Sequence, residues 1–278
     1  EVLLVDNGRK ALTVVRGKYL VRVNLSLGQN LSSVLLFETQ SNDDLPFNAQ
    51  QPFEQKAAIK TEYVEDSGEN YGGIVLGKGV NSKPWLGEYG TWQLNETLSI
   101  YADASHQQGS LALYPSNLSP SGFLASKPND KKIYTHAVVG LRYAFANSQD
   151  LRLEYIYDDA GYNKDQIKRS AEQLHLPGVN PFHATAAYAF SGLDFVGKNY
   201  VYLSLRVPNL GKNDALTLTG RYLYGVSDSS GNVIGSIDYA ASESLMVFVF
   251  GIWAHGLDDQ ELTRFIRGSL LVGSQYSY

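Results

Sequence analysis

The sequence of 278 residues contains no cysteine, and only 18% of its residues are charged, below the roughly one quarter usual in globular proteins. The absence of cysteine excludes disulfides, cysteine-ligated zinc, haem thioether links and thiol catalysis. No run of about 18 apolar residues occurs, so no membrane-spanning helix is expected. The formal charge of −5, without a Lys/Arg stripe, predicts no nucleic-acid partner. Glu1 does not open a secretory signal, so an exported protein would be numbered here from a mature or trimmed chain.

Patterns that bind metals or phosphates are also missing. The five histidines are scattered without the spacing of metal ligands. The stretch "GIVLGKG" has several glycines but neither the spacing of a phosphate loop nor a following helix. We therefore expect no metal and no cofactor.

Alternation of apolar and polar residues dominates what is present, and it is typical of strands with two different faces. In "THAVVGLRYAFA" every second residue is apolar; the turn residues "NSQD" and a second alternating stretch, "LRLEYIYDD", follow and predict a hairpin. The pattern returns in "VYLSLRV", "LTLTGRYLY" and "VIGSIDY", whereas "LMVFVFGIWA" is apolar on nearly both faces. We count about twelve strands, within a range of about 10–14.

The connections between these strands alternate in length. They are short after the strands near 134–146 and 198–208, and the longest runs from Ala160 to about Gly197. Inside it, "NKDQIKRSAEQLH" predicts a helix that is capped by Asn163 and stopped by Pro177-Gly178. The stretch "LALYPSNLSPSGFLASKPNDKK" has no strand pattern.

A soluble β-sandwich or propeller also has alternating strands, but three features favour a transmembrane barrel. Charged residues occupy mid-strand positions, aromatic residues gather toward strand ends, and the strands are about 9–13 residues long against a usual 5–6. Tilted strands of that length cross a bilayer, facing lipid on one side and a polar lumen on the other.

The last strand, "SLLVGSQYSY", resembles the C-terminal strand of bacterial outer-membrane β-barrel proteins. The assembly signal of that family is a polar residue, a glycine and two terminal hydrophobic or aromatic residues spaced by one, positions that Gly273, Tyr276 and Tyr278 occupy here. Leu271 stands where the polar residue is expected. The resemblance implies one closed antiparallel transmembrane β-barrel over residues 1–278, integral to the outer membrane, with long extracellular loops and short periplasmic turns.

Two sets of residues are candidates for a functional site. The first is a predicted pore lining, which could instead fill the lumen as a plug of salt bridges. It comprises Arg142, Arg152, Glu154, Arg206, Arg221, Asp238 and Arg267. The second lies in the 160–197 loop, where Lys168, Arg169 and Glu172 mark a constriction or lid, or else an ordinary surface loop.

The function expected from this sequence is a non-enzymatic channel for passive or substrate-selective diffusion of small hydrophilic solutes. The alternatives are the barrel of a polymer or protein export apparatus, an outer-membrane hydrolase using His255 with Asp258 and Asp259, and a secreted glycan-binding β-sandwich. The expected partners are outer-membrane lipid and lipopolysaccharide, the barrel assembly machinery and the solute. Assembly into a homo-oligomer is left open.

Overall fold

One antiparallel sheet of thirteen strands forms the body of the protein in a computed structural model. The structure describes residues 18–41, 55–80, 82–110, 112–116, 123–125, 131–175, 177–189, 193, 195–211, 214–264 and 267–276. The strands of the first half are β1 (Lys18–Ser26), β2 (Leu31–Ser41), β3 (Lys56–Val64), β4 (Tyr71–Gly79), β5 (Trp85–Gln93) and β6 (Leu98–Gln108). Two short strands, β7 (Leu113–Pro115) and β8 (Phe123–Ala125), pair separately.

The second half continues the sheet in chain order. Its strands are β9 (Ile133–Ala144), β10 (Asp150–Asp158), β11 (Asn199–Leu210), β12 (Leu216–Gly225), β13 (Ser230–Ala240), β14 (Leu245–His255) and β15 (Gly268–Tyr276). Two helices, α1 (Lys164–Gln173) and α2 (Pro181–Ala189), lie between β10 and β11, and a 3₁₀ turn covers Glu261–Thr263. Neither helix in the described part of the chain is long and apolar enough to cross a membrane.

The two faces of the sheet differ as the alternation predicts. Cross-strand partners share a face, so Leu153, paired with Leu141 and Leu203, belongs to one apolar face. Arg152 is paired with Arg142 on the opposite face, which we call the polar face. Val139 is 51% exposed on the apolar face. The apolar face is therefore exposed, whereas in a soluble β-sandwich the apolar faces of the sheets are buried against each other.

The connections fall at two ends of the sheet. The turn end holds the short connections 27–30, 65–70, 94–97, 145–149, 211–215 and 241–244. The loop end holds the others, 42–55, 80–84, 109–132, 159–198, 226–229 and 256–267. The longest connections therefore all lie at the loop end, as predicted, although 80–84 and 226–229 at that end are short. The last strand, β15, runs toward the turn end.

The sheet differs from the prediction of about twelve strands closed into a barrel. The sheet has thirteen strands, and within the described residues β1 and β15 are its edges and are not paired with each other. Neighbouring strands are antiparallel and their number is odd, so the two edge strands, β1 and β15, run in the same direction. Closure, which the sequence predicts, is thus not seen among the described residues.

The predicted helix is confirmed. Asn163 caps α1 through a capping box, in which the Asn163 side chain accepts from the Gln166 backbone and the Gln166 side chain accepts from the Asn163 backbone. The hairpin β7–β8 and the helix α2 were not predicted. Both are short elements held by tertiary contacts, which alternation cannot reveal.

A hydrophobic cluster lies in the loops at the loop end, away from the exposed apolar face. Its buried members come from two loop-end connections and pack on one another. They are Phe123 in β8, Tyr162 before α1, Ile167 on α1, and Ala184 and Tyr188 on α2. We call the described residues of the 109–132 and 159–198 loops, together with those of the 256–267 loop that bind them, the loop cap.

Candidate functional site

A row of arginines crosses the polar face of the sheet. Arg142, Arg152, Ser204 and Arg221 are consecutive cross-strand partners from β9 to β12, so the row runs perpendicular to the strands. The next row toward the turn end pairs Asp150 with Arg206. Three of the predicted pore-lining arginines therefore meet in a single row.

The other predicted lining residues lie on or near the same face. Glu154 is one row nearer the loop end than Arg152, and Asp238 lies on β13 nearer the turn end. Arg267 precedes β15 and forms an ion pair with Asp258 at the loop end. It is thus set apart from the arginine row.

Ion pairs tie these charges together. Asp150 accepts from Nε of both Arg142 and Arg152, and the Arg152 bond is 2.8 Å long. Tyr101 on β6 donates its hydroxyl hydrogen bond to Glu154. The shared Asp150 carboxylate holds both arginine side chains in fixed positions while half of each remains exposed, 50% for Arg142 and 47% for Arg152.

These groups line an open cleft of about 520 Å³ on the polar face. Its wall spans β4 to β10 and includes Tyr71, Tyr89, Tyr101, Asp103 and His136 besides the arginines and Glu154. Sequence reasoning did not single out the three tyrosines. For Tyr101 a signal was available, since "LSIYADA" places it in phase with Ser99 and Asp103.

A second charged group on the polar face was also missed. Lys60 pairs with Glu62 at 2.8 Å, and Tyr89 donates to the same carboxylate. The Lys60 ammonium lies 4.9 Å from the centre of the Tyr89 ring, a cation–π contact. The polar face therefore carries both signs of charge on β3 as well as on β9 and β10.

On β14 the residues of the polar face are apolar. Phe248, Phe250 and Ile252 are partnered with Asp238, Ser236 and Ile234 of β13 and so share their face. This accounts for the stretch "LMVFVFGIWA", which is apolar on both sides of its strand.

The loop cap is fastened by Glu261. Its carboxylate accepts hydrogen bonds from the backbone of Val196 at 2.8 Å and of Gly197 at 3.0 Å, and from the Tyr200 hydroxyl. Burial of the carboxylate, with the nearby negative charge of Asp228, raises the pKa of Glu261 to about 6. Asp228 in turn accepts from the Glu261 backbone at 2.7 Å, so three loop-end connections meet here.

Arg264 is a second residue that links the segments of the loop cap. Its guanidinium lies 4.4 Å from the centre of the Tyr188 ring on α2 and donates to Ser170 at 2.9 Å and to the carbonyl of Ile167 at 3.1 Å on α1. The 256–267 loop thus joins both helices of the longest connection.

The predicted constriction residues lie on the outside of α1. The buried face of this helix carries Ile167, Ser170, Ala171 and Gln173, whereas Lys168, Arg169 and Glu172 are exposed. The cleft on the polar face is lined by residues of the strands, and these three residues of α1 are not among them.

The residues considered for hydrolysis are not brought together. The His255 imidazole is 2.9 Å from the Tyr222 hydroxyl and stacks on that ring, while Asp258 binds Arg267. Within the described residues no group of three or more His, Asp or Glu is placed to hold a metal ion.

The C-terminal positions of the assembly signal are partly described. Gly273 is the cross-strand partner of Phe248, and a Cβ at Gly273 would lie 2.5 Å from that ring. Tyr276 is 67% exposed on the apolar face, and Tyr278 lies outside the described residues. The glycine therefore has a local steric reason, since the Phe248 ring occupies the place of a side chain.

Comparison with known proteins gives similarity at the level of the fold. No protein-family model matches the chain. No curated protein matches it either. Among solved structures it is similar to OccK11 (OpdR) of Pseudomonas aeruginosa, with a TM-score of 0.52 and 14% identity over 95% of this chain and 71% of that one. It is also similar to the outer membrane protein OprD of the same organism, with a TM-score of 0.48 and 11% identity over 91% and 67% of the two chains. The resemblance to bacterial outer-membrane β-barrel proteins is confirmed for the fold.

Proposed function

We propose that this protein is a channel of a bacterial outer membrane for the diffusion of small hydrophilic solutes. The observation that carries the proposal is the exposed apolar face of the sheet set against a charged opposite face. An apolar face of this extent needs hydrocarbon around it, and a charged face needs water.

Closure into a barrel is part of the proposal. Each unpaired backbone group inside a bilayer costs several kcal/mol in the absence of water, on the order given for buried unsatisfied amides. The edges formed by β1 and β15 must therefore be paired in the membrane. We propose a closed barrel in which the polar face becomes the lumen. Because β1 and β15 run in the same direction, antiparallel closure requires one further strand between them.

Orientation follows from the two ends of the sheet. Outer-membrane barrels have short turns on the periplasmic side and longer loops outside. The turn end would then be periplasmic and the loop cap extracellular, in contact with lipopolysaccharide. The C-terminal strand would be read by the barrel assembly machinery through Gly273 and the aromatic residues after it.

The arginine row and its carboxylates support conduction of polar solutes. Charged groups that line a lumen bias which solutes pass. The ion pairs of Arg142 and Arg152 with Asp150 keep these two side chains against the wall of the sheet, and the cleft that they line is open. We therefore favour a channel over a lumen filled by salt bridges.

Single-channel recording of the detergent-refolded chain in a planar bilayer tests the proposal. Discrete and reproducible current steps are expected. Insertion into the bilayer without steps would contradict the channel and point to a filled lumen, and failure to insert would contradict the membrane assignment.

A further inference from the structure

We propose that the cleft on the polar face is a subsite for a neutral, hydroxyl-rich solute of the sugar class, with Tyr101 as its stacking surface. The inference rests on the proposed function, because it names the class of solute that would cross the channel. It is argued from the geometry of the tyrosines, the hydrogen-bonding groups beside them and the balance of charge.

The tyrosines of the cleft lie along the sheet. Tyr101 is the cross-strand partner of Gly140, and a Cβ at that glycine would lie 2.6 Å from Cε2 of the tyrosine ring. Tyr89 and Gly73 repeat the arrangement, with the Tyr89 hydroxyl 2.6 Å from the place of the missing Cβ. Each ring thus lies against the backbone of a glycine, and both rings line the cleft. The Lys60 ammonium lies over the Tyr89 ring, so Tyr101 is the ring proposed for stacking.

A supported aromatic ring suits the C–H face of a sugar ring. Pyranoses have apolar C–H patches with hydroxyl groups around the edge, so they pack on an aromatic face and hydrogen-bond in the plane. Because glycine and the hydroxyl bond to Glu154 hold Tyr101 in place, little side-chain entropy is lost on binding.

Donors and acceptors surround that ring. The bonds from Arg142 and Arg152 to Asp150 use the Nε atoms, so the Nη groups form the outer ends of the two side chains. Glu154 and Asp103 supply carboxylate oxygens in the same wall. A hydroxyl group both donates and accepts, and this mixture matches it on both counts.

The charges favour a neutral solute over an ion. Two arginines stand against Asp150, Glu154 and Asp103, and His136 is paired with Asp158 at 3.1 Å. With both signs interleaved, an organic cation or anion would meet a repelling group wherever it met an attracting one. The volume of about 520 Å³ lies within the range of about 300–1,000 Å³ typical of small-molecule sites.

Calorimetric titration of the full chain in detergent tests the subsite without requiring conduction. The probe is maltotriose, with tetramethylammonium chloride and sodium benzoate as ionic probes of similar or smaller size. The variants are Tyr101→Leu, which removes the ring, Tyr101→Phe, which keeps it, and Tyr155→Leu, a matched change on the apolar face. We expect Tyr101→Leu to weaken maltotriose binding by about tenfold, the upper range of one aromatic contact. Tyr101→Phe should weaken it less, because the ring remains and only the bond to Glu154 is lost, and Tyr155→Leu should stay near the unsubstituted protein.

Each other outcome overturns one of the two proposals. Saturable binding of either ionic probe without maltotriose, or equal weakening by Tyr155→Leu, would refute the sugar subsite. Current steps in a bilayer without maltotriose binding would refute the subsite and leave the channel standing. Maltotriose binding that depends on Tyr101, in a protein that gives no current steps, would support the subsite and refute the channel.

Discussion

The ring of Tyr101 lies over Gly140, its partner on the neighbouring strand, and its hydroxyl reaches Glu154 one strand further on. One side chain thus spans β6, β9 and β10 along the polar face. The same pairing of an aromatic ring with a cross-strand glycine occurs at Trp85 with Gly77 and at Phe248 with Gly273. These glycines mark places where a ring lies on the backbone of a neighbouring strand.

Substitution of Gly273 by alanine tests this relationship at the last strand. The new Cβ would lie 2.5 Å from the Phe248 ring, so we expect Gly273→Ala to destabilise the fold by about 1–3 kcal/mol, the usual cost of overpacking. Gly235→Ala is the matched control, because nothing lies within 4 Å of its Cβ. Urea unfolding of the refolded protein in lipid vesicles measures both. Equal stability of the two variants would show that the ring moves away without cost.

The assignment of the two faces is tested by neighbouring valines of β9. Val139→Arg would place a charge on the apolar face near mid-strand, and we expect it to destabilise the protein by about 2–4 kcal/mol in a bilayer. Val138→Arg enters the cleft on the polar face and should be tolerated. The measurement is again unfolding in vesicles. A similar loss of stability in both variants would refute the assignment.

Ion selectivity tests the arginine row. Arg221→Glu changes the charge of the row by two units, so we expect the reversal potential in a salt gradient to move toward cation preference. Arg142→Glu should move it in the same direction, although it also breaks the bond to Asp150. An unchanged potential in both variants would place these residues outside the conduction path.

Lys168→Glu applies the same change of charge to the exposed face of α1. If the loop cap stands outside the pore, the reversal potential should stay near that of the unsubstituted protein. A shift as large as that of Arg221→Glu would instead support the constriction predicted from the sequence for Lys168, Arg169 and Glu172.

The stability of the loop cap should depend on pH through Glu261. Its pKa is about 6 in the folded protein against an ordinary 4.5, so the folded state binds the proton more tightly. The resulting stabilisation is complete below about pH 4.5 and is lost as the pH rises through 6, an effect on the order of 1–2 kcal/mol. Hydrogen exchange of the Val196 and Gly197 amides, corrected for intrinsic rates, should show more protection at pH 5 than at pH 7.5.

Glu261→Gln separates this effect from other titrations. Glutamine keeps an oxygen for the two amides but does not ionise in this range. The difference between the two pH values should therefore disappear. Persistence of the same difference in Glu261→Gln would assign it to another titrating group.

The local order of the chain determined a large part of what could be predicted. A period of two along a strand is a local property, so the two faces, the hairpin at 145–149 and the common face of Arg142, Arg152 and Arg221 were accessible from the sequence. The capped helix α1 was accessible for the same reason, because Asn163 and Gln166 are three residues apart.

Only the tertiary structure decided which side chains of neighbouring strands lie opposite each other and which residues hold the loops together. The register that sets Tyr101 against Gly140 joins residues far apart in the chain, and no alternation specifies it. Glu261 reaches Val196 across 65 positions, and Arg264 reaches Ser170 across 94. Contacts of this kind depend on how many strands lie between two loops and on the register of each strand pair. Both are properties of the whole sheet, so no local sequence pattern specifies them.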